Sequence, residues 1–118
     1  MAFTVKFTEL GMTKPVTVQQ TNKNMKLTLE LQKEIINKNE IVAADETSML
    51  DTFTALEELL DLKTTYLIET LHLTEKQIDK LAELERDVTE QIVSEMVDKF
   101  FGFESNDEES EEDKEGKE

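Results

Sequence analysis

The chain has 118 residues, 28 of them acidic and 13 basic, for a formal net charge of -15 at pH 7. That charge would be repelled by a nucleic-acid backbone or an anionic membrane surface, and it favours basic or apolar protein partners. Cysteine is absent, which excludes disulfides and thiolate zinc sites and fits a reducing cytoplasm.

Three Gly and one Pro among many Leu, Glu and Lys favour long helices. Taken from the start, Phe3, Val5 and Phe7 alternate with Thr4, Lys6 and Thr8, the period of a half-buried strand. Gly11 and Pro15 mark a turn, and Val16 and Val18 alternate again. The pattern predicts a β-hairpin over roughly 2–9 and 16–20. The first segment lacks the apolar run of a signal peptide, and no stretch approaches the roughly 20 apolar residues of a membrane span.

Asn22 or Asn24 can cap a helix that starts near Lys23 and ends near Asn37–Asn39. Met25, Leu29 and Ile36 form one apolar stripe on it, and Leu27, Leu31 and Ile35 a second. Two stripes touch two neighbours, or one neighbour and a partner protein. Thr47 or Ser48 caps the next helix, which runs to about Leu71. Along it Met49, Phe53, Leu56, Leu60, Leu67 and Leu71 follow a three-four spacing, interrupted at Lys63 or Thr64. His72 falls in its last turn, where a cation is mildly favourable.

Thr74 with Gln77 reads as a capping box. Ile78, Leu81, Val88, Ile92, Met96 and Phe100 form the next stripe, either on one bent helix over 75–101 or on two, with Asp87 a candidate second start. Gly102 is a stop signal. Met25, Met49 and Met96 with Phe53, Phe100 and Phe101 supply adaptable contact surface or plain core. Glu104 to Glu118 holds nine acids and two bases, or -7. It lacks the apolar area to offset its ordering entropy and is expected to be disordered. The expected fold class is mainly α: a small helical bundle with a short N-terminal β-hairpin over 1–103, then a disordered acidic tail over 104–118.

Little here supports chemistry. Glu69 and His72 have the Glu-x-x-His spacing of di-iron bundles, but such sites need a second copy, and there is one His. Asp107, Glu109, Glu111, Asp113, Glu115 and Glu118 fall at the ligand positions of a calcium loop, yet Glu112 stands where that loop needs Gly. Glu57, Glu58 and Asp61 read as a solvated face rather than an acid/base pair. The expectation is no enzyme, no metal and no cofactor.

The segment Ile68-Glu-Thr-Leu71-His-Leu73-Thr74-Glu-Lys-Gln77-Ile78-Asp-Lys-Leu81 resembles the tail assembly chaperones of siphovirus-type bacteriophages and prophages of Gram-positive bacteria. The likeness in sequence covers about 68–103, and in layout the whole chain. It implies a helper in the host bacterial cytoplasm, absent from the mature virion. Such a helper binds the tape measure protein, keeps it soluble and helps recruit tail tube protein. Self-association is also reported for such relatives, and a programmed -1 ribosomal frameshift extends some of them. Here Glu115-Gly116-Lys117 is compatible with a slippery G GGA AAA heptamer. Leu27, Leu31 and Ile35, with Phe101 and Phe103, are the candidate partner-binding residues. The competing readings are a generic acidic helical adaptor and a DNA-mimic inhibitor.

Overall fold

A computed structural model describes residues 2–102. Strand β1 (Ala2–Val5) pairs antiparallel with β2 (Val16–Gln19), with Phe3 opposite Val18 and Val5 opposite Val16. Directly opposed residues share a sheet face, so these four apolar side chains lie together. Val5 and Val18 are buried. The first strand is shorter than its alternation predicts, because Thr8–Leu10 forms a 3₁₀ turn. Gly11 ends that turn at φ 81, in the left-handed region that glycine adopts without a Cβ penalty. The Phe7 N–H donates to Met12 Sδ at 3.3 Å, and Phe7, Leu10 and Met12 all lie in the core.

Helix α1 (Asn22–Ala43) is capped by Thr21, whose hydroxyl accepts from the Asn24 N–H at 3.1 Å. The expected caps Asn22 and Asn24 fall inside the helix instead. Asn24 uses its Nδ2 to reach the Gln19 carbonyl at 2.9 Å, which ties α1 to the end of β2. The helix also passes the expected stop at Asn37–Asn39. Neither Gly nor Pro stands there, and Ile41 and Val42 carry the helix on to Ala43.

Helix α2 (Met49–Leu71) is capped by Ser48, which accepts from the Asp51 N–H at 3.1 Å, and it ends where the spacing predicts. His72 closes it at φ 53, the described non-glycine residue with positive φ. The Leu73 N–H then bonds back to the Ile68 carbonyl at 3.3 Å, a Schellman-type closure. Helix α3 (Glu75–Glu83) opens with both halves of the Thr74–Gln77 capping box. The stretch 75–101 is two helices: the backbone turns extended at Leu84 and Glu85, and α4 (Arg86–Phe101) starts one residue before Asp87. Gly102 ends α4 at φ 73, as expected.

The fold class is therefore mainly α, with four α-helices among the described residues and a short N-terminal hairpin. The described residues divide into two compact units, one ending at Leu84 and the other beginning at Glu85. In the first, α1 packs along α2, β2 packs on α2, and α3 packs on the 3₁₀ turn. A Cβ on Gly11 would come within 2.9 Å of Lys80 Cδ, so α3 approaches the turn closely. In the second, Thr89, Ile92, Val93, Met96, Val97 and Phe100 of α4 are buried, while Asp87, Glu90, Glu95 and Asp98 lie together along another face of that helix.

Candidate interaction surface

Two polar links set the register of the α1–α2 hairpin. Near its root, the Thr28 and Tyr66 hydroxyls lie 2.8 Å apart and are buried. Further out, Lys38 Nζ meets Glu58 at 2.9 Å and Glu34 at 3.5 Å. The hydrogen bond to Glu58 raises the Lys38 pKa above its usual value, opposed in part by desolvation. Position numbers fall along α2 as they rise along α1, as an antiparallel pair requires.

The hairpin has two unlike sides. On one, Leu27, Leu31, Leu62 and Tyr66 line a shallow groove rimmed by Glu30, Lys33, Glu34, Thr65 and Glu69. The Lys38–Glu58 pair continues that polar side. Stepping round each helix by about 100° per residue puts Leu29 and Ile36 of α1 on the other side, with Phe53, Leu56 and Leu60 of α2.

This second side is apolar and partly bare. The α2 seam divides at its interruption, Lys63 or Thr64. Leu67 and Leu71 beyond it are buried, at 0% and 3% exposure. Before it, Met49 is 72% exposed, Phe53 60%, Leu56 37% and Leu60 47%. Leu50, Ile36, Leu29 and Ile41 are exposed too. The spacing resumes at Leu67 after that one step, so periodicity alone does not show that one half is covered and the other bare. Contiguous apolar surface beyond roughly a few hundred Å² is rare on monomeric proteins and marks interaction sites.

The residues expected to meet a partner are placed differently. Leu31 is in the core at 4% exposure, while Leu27 and Ile35 are half-buried. Leu27 and Leu31 share the groove; Ile35 is not among its lining residues. Phe101 is half-buried at the end of α4, in the second unit. Phe103, the acidic run 104–118 and the calcium-loop spacing lie outside the described residues. Met49, Phe53, Leu56 and Leu60 are evident in the sequence as a seam, with Met49 and Phe53 open to either contact surface or core, and the spacing does not decide between the two. The added signal was the neighbouring charge: residues 39–62 hold seven acids and no base.

Among the described residues, no group of three or more His, Cys, Asp or Glu could hold a metal ion. Nor is any described helix long and apolar enough to cross a membrane. His72 and Glu69 are both exposed at the end of α2.

The family model of phage tail assembly chaperone proteins matches residues 3–116. No curated protein and no solved structure gives a significant match.

Proposed function

Since the chain belongs to the phage tail assembly chaperone family, we propose that its client is the tape measure protein, which it keeps soluble while tail tube subunits are recruited. The role is binding rather than catalysis. It would be exercised in the cytoplasm of the host bacterium, with the chaperone left out of the finished virion. The siphovirus-type phages and prophages of Gram-positive bacteria are the proposed setting.

The observation that supports this reading is the bare apolar half of the α2 seam. Met49, Phe53, Leu56 and Leu60 recur at helical spacing and are exposed, on a hairpin whose remaining seam is buried. An amphipathic client helix laid along them would bury its own apolar face, the helix-in-groove mode of recognition. Methionine and phenylalanine suit such a surface, because Met adapts to irregular partners and Phe brings large apolar area. The high net charge would keep the loaded complex from associating further. Leu27, half-buried in the groove, and Ile35, Phe101 and Phe103 remain proposed secondary contacts.

Co-expression tests the reading. The tape measure protein of the same tail should be insoluble alone and soluble with this chain. If it stays in the insoluble fraction in both cases, the chaperone does not serve that client.

A further inference from the structure

The outer part of the α1–α2 hairpin combines two features. Residues 39–62 expose Ile41, Met49, Leu50, Phe53, Leu56 and Leu60. The same 24 residues carry Glu40, Asp45, Glu46, Asp51, Glu57, Glu58 and Asp61, with no Lys, Arg or His. Glu58 is paired to Lys38 from outside the segment. The other six acids are exposed.

We propose that this hairpin tip docks a partner helix of about three turns whose apolar stripe is flanked by Lys and Arg. The length follows from the seam: Met49 to Leu60 spans about 16 Å of helix axis at 1.5 Å per residue. The flanks follow from charge. A partner helix on the seam would lie against a hairpin tip whose charged side chains over 39–62 are all acidic, with Glu57 next to Leu56, and complementary potential favours cations there. The same argument disfavours two other occupants. A second copy presenting the same tip would bring seven acids against seven. The chain's own segment 104–118 carries -7 and would meet the tip with like charge. This inference rests on the reading of the chain as an escort in one respect only: it names the chemistry of the segment escorted.

The test uses the full chain and two synthetic helical peptides with the same leucine stripe, one flanked by Lys and one by Glu. The Lys peptide should bind at least about tenfold tighter, and its affinity should fall as salt rises. The double variant Phe53→Ser, Leu56→Ser should weaken it about tenfold or more with unchanged circular dichroism, since both side chains are exposed. Glu57→Gln should weaken it about twofold or more, whereas Glu69→Gln on the groove side should not. Equal binding of the two peptides would overturn the proposal. So would Lys-peptide binding indifferent to the serine substitutions, or wild-type oligomers that become monomers in the serine variant without binding either peptide. Co-expression separates the two readings. If the serine variant still solubilises the tape measure protein, the docking surface falls and the escort role stands. If the wild type fails to solubilise it while the peptide pattern holds, the escort role falls and the surface stands.

Discussion

Tyr66 donates its phenolic proton to Thr28 Oγ1 across 2.8 Å, joining α2 to α1 in the core. The direction follows from Thr28 itself. Its one hydroxyl proton is engaged by the Asn24 carbonyl at 2.8 Å, so it can only accept from Tyr66. Thr70 adds a further bond, Oγ1 to the Tyr66 carbonyl at 2.8 Å, on the α2 side.

The two partners should therefore differ in the cost of their removal. Thr28→Val leaves a buried phenol without an acceptor and should cost about 2 kcal/mol. Tyr66→Phe leaves Thr28 with its bond to Asn24 and should cost about 1 kcal/mol. Urea unfolding of both variants and the double variant would measure the coupling; equal costs would mean the donor direction is reversed.

Burial pushes the Tyr66 pKa up to about 12. Tyr66 is the only tyrosine, so tyrosinate absorbance reports on it alone. A raised folded pKa disfavours the charged form in the native state. Its stabilising effect is present below pH 10, the ordinary value, and is lost as pH rises from there toward 12. The loss should be on the order of 2 kcal/mol, and Tyr66→Phe should flatten that part of the pH–stability curve. Ionisation of native protein near pH 10 would show that the phenol is open to water.

Leu31 and Phe53 offer a contrast between fold and binding. Leu31→Glu puts a charge in the core and should unfold the hairpin, with loss of helical circular dichroism. Phe53→Glu alters an exposed site and should change stability by no more than about 0.5 kcal/mol while abolishing solubilisation of the client. A folded Leu31→Glu variant that no longer binds would move the client to the groove side.

The codons of Glu115-Gly116-Lys117 are a separate matter. If the chaperone has a frameshifted long form, its nucleotide sequence should read G GGA AAA there, with an open overlapping -1 frame. Codons that do not allow slippage would remove the long form and leave the short form's role untouched.

Much of the architecture is legible in the sequence. The period-two run from Phe3, the Ser48 and Thr74 caps and the Gly102 stop each act locally, through backbone geometry or a neighbouring hydrogen bond. What lay beyond the sequence was of longer range. Periodicity showed that Leu56 and Leu67 share a face of α2, but only the packed structure shows that Leu67 is covered and Leu56 is not. Leu31 is buried for the same reason: two stripes on α1 are evident, and which one faces α2 depends on a helix that lies further along the chain. Thr21 was missed as a cap because Asn22 and Asn24 offered competing side chains in the same turn.

The uneven cover of the hairpin also sets how it breathes. Its root is held by Thr28, Tyr66, Leu67 and Leu71, all buried, whereas toward the tip only Ala55 and Leu59 are. Local opening should therefore start at the turn between α1 and α2 and seldom reach the root, so amide protons near residues 41–56 should exchange with solvent first. A partner seated on the tip would slow that exchange there and little elsewhere. The unaltered protein thus carries its own occupancy gauge, readable residue by residue.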